Sequence, residues 1–242
     1  MVVAGVGGAV SALFVSAALA FPNGGFAGLT GGPAGGGLTC GICHTGGPGG
    51  GGVDLLGRPR RYIPGRVYML TVRVTGPGQA GAGFQISVET PVGQSAGELI
   101  LADPALTQYA SGDPRYVTHT DLGHEAAELA FAVNPGWSDF PVLWRAPAAD
   151  PGPIAFYIAG NAINDDHTTL GDDVYAARFD TRLNPCPPDL DGDGAVTGRD
   201  LSFILSAWGR PDADADLTGD GVVTTLDLAT ALQAWGPCPP AP

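Results

Sequence analysis

Basic residues are scarce in this chain of 242 residues, where 11 arginines and lysines stand against 24 acidic residues, for a formal net charge of −13. Nucleic acid and anionic membrane surfaces are bound through dense positive charge, so this balance argues against both as partners. Charged residues of either sign make up only 14% of the chain, whereas glycine and proline contribute 39 and 22 residues. The length suits one medium-sized domain and one small domain.

A long hydrophobic run is also missing. The most apolar stretch, Val10 to Leu19, is too short to span a bilayer readily and ends in the small-x-small pattern Ala18-Leu19-Ala20. We therefore predict a signal peptide over residues 1–20, with a membrane-spanning helix as the alternative. The mature chain would begin at Phe21, be secreted or held at the cell surface, and have no transmembrane anchor. A basic n-region is absent, since no lysine or arginine precedes Arg58.

Residues 21–52 contain so much glycine that they cannot bury a core of their own, and we expect a flexible segment there. One motif interrupts the glycines: Cys40-Gly-Ile-Cys43-His44 has the spacing of a c-type haem attachment site. In such a site two thiols add to the haem vinyl groups, and the adjacent imidazole becomes the proximal iron ligand. The motif predicts a covalent haem c held by Cys40, Cys43 and His44, and export is consistent with it.

Other interpretations of these cysteines stay open. Cys40 and Cys43 could form a short disulfide, pair with Cys186 and Cys238, or contribute to a zinc site, because four cysteines allow three connectivities. Glycines flank the motif on both sides, so a haem pocket would have to come from the following domain. The sixth iron position could stay open, or it could be filled by one of four candidates: His119, His124, His167 and Met69. For His119, a hydrogen-bonded structural histidine is the ordinary interpretation.

Residues 53–183 show the alternation of apolar and polar side chains that is typical of strands. It is clearest in Val67–Thr75 and Gly83–Thr90, which we expect to be half-buried strands. Six further candidate strands are Glu98–Ala102, Tyr116–Thr120, Glu128–Val133, Val142–Ala146, Ile154–Gly160 and Tyr175–Phe179. Short strands at this spacing predict a mainly β domain, an antiparallel sandwich of immunoglobulin-like shape.

A series of dispersed motifs runs through the same region. In order after Cys-x-x-Cys-His, they are Tyr62-Ile-Pro-Gly65, Gly83-Phe-Gln85, Thr118-His-Thr120, Trp144-x-Ala-Pro147 and Phe156-Tyr-x-Ala-Gly-Asn-Ala162. This order resembles the reeler-like domain of exported bacterial proteins, which are often grouped as choice-of-anchor proteins. The resemblance spans most of residues 35–182. It implies a β-sandwich at the cell surface, joined to an interchangeable C-terminal anchoring device, and no settled biochemical activity.

The C-terminal region contains a twelve-residue loop twice, as Asp189–Asp200 and Asp216–Asp227. Ca²⁺ takes six to eight oxygen ligands, which such a loop supplies from positions 1, 3, 5, 7, 9 and 12, with glycine at position 6. A solvated turn would explain one loop, but two copies in register favour two calcium ions. The predicted ligands are Asp189, Asp191, Asp193, Ala195, Thr197 and Asp200, then Asp216, Thr218, Asp220, Val222, Thr224 and Asp227. Thr218 replaces an expected Asp or Asn, so the second site should be weaker.

Each loop is followed by a repeated apolar pattern. Residues at i, i+3, i+4 and i+7 predict two short amphipathic helices, with the apolar sets Leu201, Ile204, Leu205, Trp208 and Leu228, Ala231, Leu232, Trp235. Three prolines within residues 184–188 exclude a helix before the first loop. This loop-helix pair resembles a type I dockerin over residues 184–242, which implies a cohesin-like or cell-surface protein partner. In such a pair the two ends come together, so Cys186 and Cys238 are predicted to form a disulfide.

The predicted function is that of an exported, non-catalytic module. Its sandwich would bind a surface partner or a glycan, and its dockerin would provide calcium-dependent anchoring or docking. The alternatives are an extracellular c-type haem redox protein and an accessory protein in polysaccharide degradation.

The alternative of a role in polysaccharide degradation rests on the dockerin analogy alone. A glycoside hydrolase needs two carboxylates at a defined separation. The candidates lie in one glycine-flanked connection and are Asp165, Asp166, Asp172 and Asp173. A metal bound by Asp165, Asp166 and His167 is a further interpretation of the same connection. A polar loop with Asx turns is the ordinary interpretation of this connection. Because no Ser-His-Asp pattern and no phosphate loop occurs either, we predict no catalytic residues.

Overall fold

The computed structural model describes residues 21–133 and 136–239. The predicted signal peptide and the last three residues of the predicted dockerin lie outside these ranges. The described chain is mainly β, with two sheets that share one apolar core, and a smaller C-terminal unit has a core of its own. No helix within these residues has the length and apolar character needed to cross a bilayer.

Thirteen strands are found in the described ranges. They are β1 (Thr45–Gly46), β2 (Gly52–Leu56), β3 (Arg61–Tyr62), β4 (Val67–Thr75), β5 (Gly81–Glu89), β6 (Glu98–Leu101), β7 (Thr107–Tyr109), β8 (Val117–His119), β9 (Trp137–Arg145), β10 (Ile154–Ile163), β11 (Leu170–Leu183), β12 (Ala195–Val196) and β13 (Gly236–Pro237). The helices are α1 (Asp121–Val133), α2 (Gly198–Ser206) and α3 (Thr225–Gln233).

The four-stranded sheet has the order β2-β4-β9-β6 and is antiparallel throughout. In β4 the buried residues alternate with exposed or half-buried ones, as the sequence predicts for a strand with one solvent-facing side. Tyr68 and Leu70 of this strand are buried in the shared core together with Trp144 of β9. This sheet closes the sandwich on the side away from the cysteine motif.

The seven-stranded sheet has the order β1-β11-β10-β5-β8-β7, with β3 also paired to β11. Its long strands are antiparallel, but β1 and β3 pair with β11 in parallel, so the sheet is mixed and not purely antiparallel as predicted. Strand β5 differs further from expectation, because all nine of its residues are buried. One face of β5 packs in the sandwich core, and the other is covered by chain that precedes the sandwich.

One predicted strand is wrong: Glu128–Val133 belongs to helix α1. The hydroxyl of Thr120 accepts a hydrogen bond from the amide of Gly123 (3.0 Å) and so satisfies a donor in the first turn. Gly123, Ala127 and Phe131 are buried at a spacing of four residues, which places them on one helical face. The period of two in residues 128–133 is too short to outweigh this helical packing.

The glycine-rich segment, residues 21–52, does not project into solvent as a free linker, because its first part covers the outer face of β5 and its later part lies along β11. Polar side chains of β5 hold the backbone of the first part. Gln85 accepts a hydrogen bond from the Leu29 amide (2.6 Å) and donates one to the Phe26 carbonyl (2.9 Å). Farther along the strand, Glu89 accepts from the Ala34 amide (2.8 Å). The expected flexible segment is therefore a covering layer, because the sheet supplies the partners that a glycine-rich chain lacks.

The C-terminal module, residues 184–239, contains the two predicted helices. Each begins with a capping box: Thr197 with Asp200 for α2, and Thr224 with Asp227 for α3. The predicted disulfide between Cys186 and Cys238 is confirmed, with Cα atoms 5.9 Å apart. Together the bridge and the strand pair β12-β13 bring the two ends of the module together.

The predicted apolar face of these helices is only partly buried. Ile204 and Ala231 lie in the core of the module, and Leu201 and Leu228 pack against that core. The remaining members of both sets are exposed, namely Leu205, Trp208, Leu232 and Trp235. Each helix therefore presents apolar side chains on two sides, one toward its partner helix and one toward solvent.

Candidate functional site

A cavity of about 270 Å³ lies between the glycine-rich segment and the outer face of the seven-stranded sheet. The segment supplies Phe26, Leu29 and the Cys-x-x-Cys-His motif, and the sheet supplies Gln85 and Asn161. All four histidines of the chain line this cavity: His44, His119, His124 and His167. The expectation that the sandwich must supply any pocket beside the cysteine motif agrees with this arrangement.

His44 is oriented by a buried carboxylate. Its Nδ1 lies 2.6 Å from Oδ2 of Asp172, a side chain that is only 1% exposed. The other carboxylate oxygen, Oδ1, accepts a hydrogen bond from the Asn164 amide (3.1 Å), so Asp172 is itself fixed. With Nδ1 engaged, Nε2 is the ring nitrogen of His44 that remains for a ligand bond. A carboxylate on the far nitrogen is the usual support of a histidine that binds a metal.

The two cysteines of the motif are half-buried free thiols. A short 3₁₀ helix, Cys40–Ile42, presents them, and the hydroxyl of Thr39 accepts a hydrogen bond from the Gly41 amide at its start. Burial raises the pKa of the Cys40 thiol to about 12, so this group is protonated at neutral pH. Because Cys186 bonds with Cys238, the alternatives that pair the motif with those cysteines are wrong.

His119 forms part of the cavity floor. Its Nδ1 accepts a hydrogen bond from the Phe84 amide (3.2 Å), and a Cβ at Gly83 would lie only 2.5 Å from the ring. Burial, with a smaller contribution from His124, lowers the pKa of His119 to about 4. The ring is therefore neutral and carries its proton on Nε2. In this position His119 has no ring lone pair left for iron, and it can act as a hydrogen-bond donor.

The other predicted sixth ligands differ in position. His124, on α1, has Nε2 at 2.9 Å from Oε1 of Glu128. The side chain of His167 is 90% exposed and lies on the loop between β10 and β11. Met69 lies on the four-stranded sheet, is 60% exposed, and is not among the residues that line the cavity. The structure thus removes Met69 from the candidates and leaves His124 and His167 at the edge of the cavity.

Carboxylates in and beside the connection between β10 and β11 hold the local backbone. The Asp166 amide donates to Asn164 Oδ1 (3.2 Å), and Asp166 Oδ1 accepts from the Thr168 amide (2.8 Å), as in successive Asx turns. Asp173 accepts from the Gly49 amide and from Gln79. Because Asp166 serves the local backbone, the weak prediction of a metal site that includes it with Asp165 and His167 is not supported by this geometry.

The two C-terminal loops arrange their carboxylates in similar ways. Oxygens of Asp189, Asp191 and Asp193 lie within 4.8 Å of one another in the first loop, as do those of Asp216, Asp220 and Asp227 in the second. The side chains at positions 1 and 12 accept backbone amides of their own loop, which fixes the ring of oxygens; these side chains are Asp189, Asp200, Asp216 and Asp227.

The second loop differs from the first in two contacts. Thr218 at position 3 donates a hydrogen bond to Asp227 Oδ1 (3.0 Å), where an aspartate would supply another carboxylate. Arg66, from the chain just before β4, reaches Asp216 Oδ2 at 3.0 Å, with only 13% of the arginine side chain exposed. This arginine joins the sandwich to the loop and places positive charge at its first ligand position.

Sequence patterns alone did not identify three contributors to the cavity region. The sequence offers Asp172 as a candidate carboxylate of a hydrolase, whereas in the structure it orients His44. Glu128 was assigned to a strand, and its spacing of four from His124 is the signal that would have placed both on one helical face. Gln85 lies in the half-buried strand expected over Gly83–Thr90, and no local signal reveals that it binds the glycine-rich segment.

No protein-family model and no curated protein matches the chain. Solved structures similar to it include the human F-spondin reeler domain, with 19% identity, 58% of this chain and 93% of that chain covered, and a TM-score of 0.39. The Reelin-N domain of F-spondin has 19% identity, covers 60% and 95%, and has a TM-score of 0.41. A DUF4466 family protein from Parabacteroides merdae has 12% identity, covers 53% and 42%, and has a TM-score of 0.30. These TM-scores are too low to carry a functional argument.

Proposed function

We propose that this chain is an exported protein whose β-sandwich carries one covalently attached haem c. Cys40 and Cys43 would form the thioether bonds, and His44 would be the proximal ligand through Nε2. The observation that carries the proposal is the 2.6 Å contact between His44 Nδ1 and the buried Asp172 carboxylate. Such a carboxylate fixes the orientation of the ring and leaves its second nitrogen at the cavity, as in histidines that bind metals.

The residues around the motif suit a flat apolar group. Aromatic and aliphatic residues line the cavity, namely Phe21, Phe26 and Leu29 from the segment and Ile163 from the sheet. Two free thiols lie at the same cavity, as covalent attachment requires. A bound haem c supplies one-electron chemistry at iron. The chain's own residues would hold it, keep bulk water from one face, and offer the Nε2 proton of His119 on the cavity floor.

The test is production of the mature chain in a host with a haem-ligation system, followed by pyridine haemochrome absorbance and denaturing mass spectrometry. We expect one covalent haem per chain. Cys40→Ser with Cys43→Ser should abolish attachment, whereas Cys186→Ser with Cys238→Ser should leave it intact because those residues lie outside the cavity. Folded protein that carries no covalent haem under these conditions would overturn the assignment.

Asp172 provides a finer test of the same site. Asp172→Asn keeps the size of the side chain but weakens the charge-assisted hydrogen bond to His44. We expect covalent haem to be retained while the reduction potential rises, because the imidazole becomes a poorer electron donor to iron. Asp173→Asn is the neighbouring control, since that carboxylate contacts Gly49 and Gln79 and not His44.

A second function is favoured by the paired C-terminal loops. We propose that each binds one Ca²⁺ and that the module anchors or docks the chain to a cohesin-like or other cell-surface protein. The support is the repeated carboxylate cluster with a capped helix after each copy. The exposed pair Trp208 and Trp235, at equivalent positions of the repeat, offers apolar contact area to a partner.

Calorimetry with Ca²⁺ tests this second proposal. Two binding events of unequal affinity are expected, and Asp189→Ala should remove the stronger one. Unchanged heat in that variant would defeat the assignment. Positions 10 and 11 hold Gly198-Arg199 in one loop and Thr225-Leu226 in the other, so a partner should recognise the two halves unequally.

A further inference from the structure

Three side chains with metal-ligating atoms come together at the edge of the same cavity, and none of them belongs to the Cys40–His44 motif or to the C-terminal loops. His124 and Glu128 project from one face of α1, one turn apart, and Asp165 approaches from the loop between β10 and β11. Ligand atoms of the three side chains lie within 4.8 Å of one another. His124 and Asp165 also line the cavity. The group therefore borders an open space and is not sealed inside the core.

A helical ion pair explains only part of this arrangement. His124 and Glu128 form the usual i, i+4 contact, with Nε2 and Oε1 2.9 Å apart. Asp165 then brings a second carboxylate to the same point, and two carboxylates at such a distance repel each other unless a cation lies near them. His167 is the neighbouring basic group, but its Nδ1 is 3.8 Å from Asp165 Oδ1 and its side chain is 90% exposed.

The chain offers little other positive charge to this position. It contains no lysine, and no arginine is among the described residues that line the cavity. A divalent cation from solution would relieve the repulsion between the two carboxylates more fully than the contacts with His124 and His167 do. One imidazole and two carboxylates form a mixed nitrogen and oxygen donor set, which suits Zn²⁺, Fe²⁺ or Mn²⁺ and differs from the all-oxygen set that Ca²⁺ prefers.

We propose that His124, Glu128 and Asp165 bind a divalent transition-metal ion at the edge of the cavity. Metal–ligand bonds of about 2.0–2.2 Å require the donor atoms to be closer than 4.8 Å, and rotation of the exposed Asp165 side chain can provide that approach. Three protein ligands leave a coordination position for a small molecule that enters the cavity. This proposal does not rest on the haem or calcium assignments.

Zinc calorimetry on the full mature chain tests the proposal. The background is Cys40→Ser with Cys43→Ser, which removes the competing thiols, and saturating Ca²⁺ fills the C-terminal loops. We expect one zinc ion per chain. His124→Gln, Glu128→Gln and Asp165→Asn should each weaken its binding at least about tenfold.

Glu125→Gln is the matched control, because it removes the same charge from an exposed position of the same helix. It should leave zinc affinity within about twofold, a small fraction of the effect expected for a ligand. Circular dichroism of each variant checks that α1 remains folded, and Asp165→Asn, which lies outside the helix, gives an independent result if a helix variant unfolds.

Absence of a zinc site in the background protein would overturn the proposal. Loss of zinc binding in His44→Gln but not in His124→Gln would overturn it as well, by placing the ion at the cysteine motif.

Discussion

The glycine-rich segment and the C-terminal module are both small additions to the sandwich, but they are held in different ways. The module has its own buried residues, two capped helices and a disulfide between Cys186 and Cys238. The segment has few apolar side chains, and its backbone amides are bound by Gln85 and Glu89 of the sheet. The module is therefore stabilised by its own repeats and one disulfide. The segment is ordered by hydrogen bonds to side chains of β5, a strand that is distant in sequence.

This difference separates the two proposed sites. The calcium ligands of each loop lie within twelve consecutive residues, so a short stretch of sequence can assemble them. The cavity instead combines Cys40 and His44 with Phe84, His119 and Asp172, which are far apart in the chain. Damage to the sheet should therefore disturb the haem site and leave the calcium loops intact.

The largest effect is expected from removal of the disulfide. Cys186→Ser with Cys238→Ser should destabilise the calcium-free module by about 2–4 kcal/mol, because the crosslink restricts its unfolded chain. Hydrogen exchange measured by mass spectrometry should show faster exchange in α2 and α3 and unchanged exchange in residues 25–40. Equal acceleration in both regions would show that the module and the segment are not independent.

Acidification should act through the cavity floor. Because the folded pKa of His119 is about 4 and its ordinary value is 6.5, the unfolded chain binds a proton first as pH falls. The free energy of unfolding should therefore decrease by about 3 kcal/mol in total as the pH falls from about 6.5 to about 4. Denaturant titrations at several pH values should show a weaker pH dependence in His119→Gln than in the parent, while the exposed His167→Gln should resemble the parent.

The attachment of the segment can be broken at one side chain. Gln85→Leu leaves the Leu29 amide and the Phe26 carbonyl without partners, at a cost of roughly 1–3 kcal/mol. We expect faster proteolysis and hydrogen exchange within residues 25–40 and unchanged calcium binding. Gln94→Leu, at an exposed position in a loop, is the control. Retained protection of the segment in Gln85→Leu would mean that other contacts are sufficient.

The two halves of the module can be made more alike. Thr218→Asp adds a carboxylate at position 3 of the second loop and should tighten its calcium binding about tenfold, or ~1.4 kcal/mol. The first loop should be unaffected. Calorimetry should then show two binding events of similar affinity. An unchanged second event would indicate that Thr218 is not the cause of the lower calcium affinity of the second loop.

The smallest expected effect concerns the contact between the sandwich and the second loop. Arg66→Gln removes the positive charge at Asp216 and should tighten calcium binding there by a few-fold, about 1 kcal/mol. Arg73→Gln is the control, because it removes the same charge from an arginine that pairs with Asp139 of the sandwich. Weaker calcium binding in Arg66→Gln would show that the arginine supports the loop geometry and does not compete with the ion.

Prediction from sequence succeeded where one element determines its own structure. The helices α2 and α3, the central strands and the Cys186–Cys238 bridge follow from periodicity, repeats and position. It failed for α1, because residues 128–133 match a strand pattern and only the packing of Gly123, Ala127 and Phe131 reveals the helix. Long-range hydrogen bonds to the glycine-rich segment leave no periodic signal in either partner.

The sequence by itself determined the mainly β character, the paired acidic loops with their helices, and the spacing of the cysteine motif, because each depends on neighbours in the chain. Tertiary structure alone decided that His44 meets Asp172, that four histidines share one cavity, and that His124, Glu128 and Asp165 converge. The physical reason is that these contacts join residues on separate strands, a helix and a loop. Their positions are fixed only when the two sheets pack and the glycine-rich segment is bound across them.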